Sequence, residues 1–119
     1  MTTQPTFFSA RDTLKGRLNL HDHLVPHPES TFFFRARSDA MMNSGIHPAD
    51  LLVVDRALTP ASGRVVVAVV ENELTVRRLH CAADHVALQA DNPEFAEIRF
   101  KDLQELQVWG VVTYVIHRP

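Results

Sequence analysis

Arg35-Ala36-Arg37-Ser38-Asp39-Ala40-Met41-Met42-Asn43-Ser44-Gly45-Ile46-His47-Pro48-Ala49-Asp50-Leu51-Leu52-Val53-Val54-Asp55 is the stretch that decides the fold. An aromatic run, Phe32-Phe33-Phe34, leads into it and has the side chains of a strand. Asn43-Ser44-Gly45 breaks it with turn chemistry, and His47-Pro48-Ala49-Asp50 turns the chain again. Leu51 to Val54 is a continuous apolar run between two aspartates, the pattern of a strand buried on both faces. The span therefore predicts strand, tight turn or short helix at Ala40-Met41-Met42, and strand.

Working outward, the C-terminal side continues in the same style. Thr59 to Gly63 is a loop, and Arg64 to Val70 is a β-branched strand. Glu71-Asn72 is a tight turn, because Asn tolerates positive φ. Leu74 to His80 alternates, with Leu74, Val76 and Arg78 on one face and Thr75, Arg77 and Leu79 on the other. His85 to Ala90 is a short strand, Asp91-Asn92-Pro93 a turn, and Phe95 to Phe100 a further short strand or loop. Val108 to His117 is the last strand, with Gly110 marking a bulge or a close approach. On the N-terminal side, Thr31 to Arg37 is the first strand. Asn19 caps a helix over Leu20 to Val25, which Pro26 and Pro28 end within two turns. Residues 1 to 17 are polar, broken by Pro5 and Gly16, and read as a flexible arm; 18 to 119 form the body. Many short strands with minimal helix give a mostly-β class, a sandwich or folded β-sheet/barrel.

The 119 residues suit one domain with a modest core. Twelve basic against fourteen acidic side chains leave a net charge of −2, so the chain as a whole lacks the basic footprint of a DNA-binding protein. A single cysteine, Cys81, cannot form an intrachain disulfide. No apolar window is long enough to span a bilayer, and the first residues lack the pattern of a signal peptide. The expectation is a cytoplasmic protein, without membrane contact.

These segments, in this order and spacing, resemble the serine–lysine self-cleaving peptidases of the LexA and UmuD type (peptidase S24-like). Asp50-Leu51-Leu52-Val53-Val54-Asp55 is similar to the strand that follows their active turn. His27-Pro28 is similar to the entry before their aromatic strand, and Gly63-Arg64-Val65-Val66-Val67-Ala68 to their Gly-led valine strand. Glu73-Leu74-Thr75-Val76-Arg77-Arg78-Leu79 resembles their Phe-Thr-Val-Lys-Lys/Arg-Leu strand, and Trp109-Gly110-Val111-Val112 their Phe-Gly-Val-Val. The resemblance runs from about residue 17 to the end and implies the folded β architecture of the LexA/UmuD C-terminal domain.

The same resemblance singles out two positions. Ser38-Asp39-Ala40-Met41 stands where the family has Gly-Asp-Ser-Met, so Ala40 occupies the nucleophile position. Arg77 occupies the position of the lysine general base. Such a dyad needs a hydroxyl and an amine that becomes neutral near pH 7. Alanine offers no nucleophile, and a guanidinium stays charged. The arm carries Lys15-Gly16 rather than the family's Ala-Gly or Cys-Gly bond, and the chain looks like the processed form of UmuD. The resemblance thus implies a non-cleaving homodimer that serves a Y-family, lesion-bypassing DNA polymerase in SOS mutagenesis, in reach of a recombinase filament and without sequence-specific DNA binding. Two other readings stand beside it. One is an active self-cleaving peptidase whose nucleophile was mutated, against which Arg77 speaks. The other is a regulator that forms mixed dimers with active relatives.

Other residues carry less. Ser38 and Ser44 flank Ala40, but turn formation is their ordinary role. His21-Asp22-His23 places two imidazoles two residues apart on a helix, pointing away from each other, so no metal is expected there. His80-Cys81 with His85 lacks a fourth zinc ligand. No cofactor or metal is implied. Arg77, Arg78 and Arg99 read as a solvated or ion-paired set. Phe32, Phe33 and Phe34 cannot all face inward, so at least one meets an interface or the arm. Trp109 and Tyr114 suit core or interface anchoring.

Overall fold

The computed structural model describes residues 9–11 and 19–119. The expected arm, 1–17, lies almost wholly outside them. Helix α1, Leu20–Leu24, starts where the sequence places it: Asn19 is extended, and its Oδ1 accepts the Asp22 N–H at 3.2 Å. Seven strands follow: β1 Thr31–Arg35, β2 Leu51–Asp55, β3 Val65–Val70, β4 Glu73–Cys81, β5 Val86–Gln89, β6 Ile98–Phe100 and β7 Gln107–Ile116. All pairings are antiparallel, in one sheet of order β1-β2-β7-β3-β4-β5-β6. β1 and β6 are the open edges, so the sheet does not close into a barrel. No described helix is long and apolar enough to cross a membrane.

The sheet is packed on both faces, and the alternation of the valine strand shows how. Val66 and Ala68 join Leu79, Leu88, Leu106 and Val111 in one core cluster. Val67 belongs to a second, with Ala36, Met41, Ile46, Leu52 and Val54. A period of two sends successive side chains of β3 to opposite cores, which is why the run is apolar throughout.

Three details differ from or refine the sequence reading. β1 ends at Arg35 rather than Arg37, because Ala36 leaves the ladder to bond the turn before β2: its N–H donates to Asp50 O at 2.9 Å and its O accepts the Ala49 N–H at 2.7 Å. Glu71 and Asn72 both have positive φ, 52° and 66°, the geometry of a type I′ hairpin turn. Gly110 is a close-approach point beside a register shift in the β3–β7 pairing: a Cβ there would lie 2.6 Å from Val54 Cγ1.

Candidate functional site

The segment between β1 and β2 folds into a compact knot. Met42–Ser44 form a single 3-10 turn closed by Gly45 in the left-handed region at φ 84°. Ala40 is 0% exposed and Met41 is core. Ser38 Oγ accepts the Ala40 N–H at 3.3 Å. The loop after β5 pins this knot from outside: Asn43 N–H donates to Asp91 O at 3.0 Å, and Asn92 Nδ2 donates to Asp39 O at 2.9 Å.

Arg77 and Arg78 sit side by side on β4 and meet opposite fates. Arg78 is a clamp. Its Nη1 donates to Gly63 O at 2.7 Å, and its Nη2 donates to Ser44 Oγ at 3.0 Å and to Asp91 Oδ2 at 3.2 Å. Ser44 Oγ itself donates to Asp91 Oδ2. Arg77 is 8% exposed and, among the described residues, has no carboxylate partner. Its Nη1 donates only to Val76 O at 2.8 Å, its Cζ lies 5.4 Å from the Phe95 ring centroid, and its Nε has no hydrogen-bond partner. Burial disfavours the charged form and lowers its pKa from the usual arginine value. The expectation of a solvated or ion-paired arginine set holds for Arg78 with Asp91 and for Arg99, which pairs with Glu97 at 3.0 Å. It fails for Arg77, because alternation along β4 turns that side chain inward.

A groove of about 440 Å³ runs along the first half of β4, lined by Arg37, Ser38, Val76 and Arg77 among others. The fold thus brings the residues just before Ala40 and the side chain of Arg77 to one concavity. Ala40 itself is not among its lining residues. The flanking serines differ: Ser38 Oγ accepts the Ala40 N–H, whereas Ser44 Oγ both donates to Asp91 and accepts from Arg78. No lysine is among the residues that line the groove, so the amine that a Ser-Lys dyad needs for acyl transfer is not offered there.

The two aspartates that bracket β2 are structural anchors. Asp55 accepts from His27 Nδ1 at 2.6 Å, Ser30 Oγ at 2.7 Å and the Ala57 N–H at 2.9 Å. Burial pushes its pKa up, but these hydrogen bonds outweigh that and leave it below the ordinary carboxylate value. The His27-Pro28 signature of the sequence is therefore tied to a strand 28 residues later. Asp50 is treated similarly, by the His47 N–H at 2.8 Å and by His117 Nδ1 at 2.6 Å. Its pKa too is raised by burial and lowered further by these partners, to a net decrease. Sequence reasoning passed over His117, because nothing local in Tyr114 to Pro119 points to a turn so far upstream.

Neither histidine group weighed as a metal site from the sequence gathers three ligands. Among the described residues the single group of three is His47, Asp50 and His117. The His80 and His85 rings are 6.4 Å apart, and His85 Nδ1 is engaged by Asp84 at 2.8 Å.

A single antiparallel sheet with a buried turn packed beside its fourth strand defines the class, a mostly-β domain of the LexA/UmuD C-terminal type. The peptidase S24-like family model matches residues 4–113, and the chain belongs to that family. It is similar to the protein MucA of Salmonella typhimurium, 41% identical over 101 residues that cover 84% of this chain and 68% of the relative. It is also similar to the protein ImpA of Escherichia coli, 39% identical over 111 residues covering 92% and 74%. The LexA repressor of Xylella fastidiosa is 33% identical over 100 residues, 84% of this chain and 47% of its own.

Proposed function

We propose that this chain is a non-cleaving, UmuD-like accessory subunit of an error-prone, Y-family translesion DNA polymerase in SOS mutagenesis, acting as a homodimer in the cytoplasm. The observation that carries the loss of cleavage is a buried Arg77, with no carboxylate partner among the described residues, lining the groove that Arg37 and Ser38 also line, just before the fully buried Ala40. Similarity to MucA, SamA and ImpA supports the mutagenesis setting. The peptidase scaffold is kept while the two groups that would do chemistry are absent, which suits a domain retained for its surfaces. Residues 1–17 serve as an arm and 18–119 as the body that meets the polymerase.

The homodimer finds support in the exposed large hydrophobic side chains of β1 and of the C-terminal half of β7. Phe33 is 56% exposed, and Tyr114, Val115 and Ile116 are exposed on β7. Register places Phe33 and Tyr114 on either side of Val53, in one row across the sheet. Such a row on a small domain suits burial by a second copy. Arg77 also disfavours the reading of a peptidase with only its nucleophile mutated, since that change would leave the lysine in place.

The test is cleavage in trans. Ala40→Ser is incubated with an arm peptide carrying Ala-Gly or Cys-Gly, with and without a recombinase filament, and followed by mass spectrometry. No turnover is expected, because Arg77 cannot act as a base. Turnover by the single variant would show that Arg77 is not the base position. The double variant Ala40→Ser, Arg77→Lys asks whether the groove still desolvates an amine enough to activate it. Pull-down with a Y-family polymerase subunit tests the partner.

A further inference from the structure

The corner where β7 ends against the turn before β2 holds a constellation that the proposed function does not use. Leu51 pairs with Ile116 across the antiparallel ladder, so one step further Asp50 faces His117. His47 stands three residues before Asp50 on a rigid turn. That turn is fixed by Asp50 N–H to His47 O at 3.1 Å, by the two Ala36 bonds to Ala49 and Asp50, and by Arg35 Nη1 to Ala49 O at 2.9 Å. Ala49 holds φ 75°, a left-handed conformation disfavoured for alanine, which brings His47 and Asp50 back onto one side. The two imidazole rings lie 4.7 Å apart, centroid to centroid. One ligand atom from each of the three side chains falls within 4.8 Å of the others. His117 Nδ1 is 2.6 Å from Asp50 Oδ1, and His47 Nδ1 is 3.7 Å from Asp50 Oδ2. The His47 Nδ1 atom is buried and has no hydrogen-bond partner.

A buried nitrogen without a partner normally has a reason, such as an ion or water bound in its place. We propose that His47, Asp50 and His117 form a binding site for a divalent transition-metal ion, with Zn2+ as the best match. Two imidazoles and one carboxylate suit zinc, copper or nickel rather than calcium or magnesium, which take oxygen ligands. Ligand atoms around tetrahedral zinc stand roughly 3.3 Å apart, given bonds of about 2.0–2.2 Å. Small rotations of the two half-exposed histidines about the fixed Asp50 bring the set to that spacing. The ion takes the place of the proton now shared between His117 and Asp50, and water or a partner's side chain fills the fourth position. Asp50 is already oriented by the His47 N–H, which donates to its Oδ2 at 2.8 Å. Bound metal would tie the C-terminal end of β7 to the turn before β2, next to the exposed Tyr114, Val115 and Ile116.

The test is calorimetric titration of the full chain with Zn2+ in a buffer free of chelators. One equivalent per chain is expected, with affinity falling as pH is lowered because protons compete for the imidazoles. His47→Ala and His117→Ala alter half-exposed side chains, and circular dichroism checks that each keeps its fold. Each should weaken Zn2+ binding by about tenfold or more. Cys81→Ser and His85→Ala should leave it unchanged. Co2+ substitution should give a visible spectrum without thiolate charge transfer, as nitrogen and oxygen ligands require. Absence of Zn2+ binding by the wild-type chain overturns the proposal. So does binding that survives both His47→Ala and His117→Ala, or that is lost with Cys81→Ser.

Discussion

The two ends of β2 and the groove along β4 bury charge in opposite ways. At Asp55 and Asp50 an anion is buried, and each receives a ring of donors: three for Asp55, and a backbone N–H with an imidazole for Asp50. At Arg77 a cation is buried with one backbone carbonyl and an aromatic face, and its Nε is left without a partner. The first arrangement is what stability requires of a buried charge. The second leaves part of a buried cation without a hydrogen-bond partner. The contrast separates buried charges whose partners hold the fold from one that is poorly partnered.

The largest expected effect is at the satisfied end. Asp55→Ala strands His27, Ser30 and the Ala57 N–H and should cost about 3 kcal/mol in urea unfolding. A loss under ~1 kcal/mol would break the contrast, because ordinary surface changes stay near that range. Arg78→Ala removes the clamp among Gly63, Ser44 and Asp91; with the side chain partly in solvent, about 1 kcal/mol of destabilisation is expected by the same measurement. Arg77→Met should move the other way. Replacing an unpaired buried cation by an apolar side chain of similar length should stabilise the protein by up to about 1 kcal/mol. Destabilisation would mean that the guanidinium has a partner in solution and that the groove is not the unsatisfied region described.

The smallest effect expected is in acid. Asp50 and Asp55 both have pKa values below the unfolded value of 3.8. The unfolded carboxyls therefore bind protons first as pH falls. The stabilisation is complete above that value and is lost as pH drops through the lower folded values. Thermal midpoints should begin to decline as pH approaches 4 and fall further below it. Asp55→Asn should flatten that decline while lowering stability at neutral pH.

Much of this could be read from the chain by itself. The β-branched runs, the Glu71-Asn72 turn and the Asn19 cap are decided by residues near in sequence, where backbone propensity and steric limits act directly. The expectation placed on Ala40 and Arg77 likewise rests on letters in a row set against the family pattern, without coordinates. What the tertiary structure alone decided is which charges are paired. Arg77 and Arg78 look alike in sequence, and only strand alternation within the assembled sheet buries one and gives the other to Asp91. His117 meets Asp50 across 67 residues, and the group with His47 exists only because the β2–β7 register sets Leu51 opposite Ile116. Local composition does not encode such a register; it is fixed when both faces of the sheet are buried, since a slip of one residue would turn every core side chain of β7 to the wrong face.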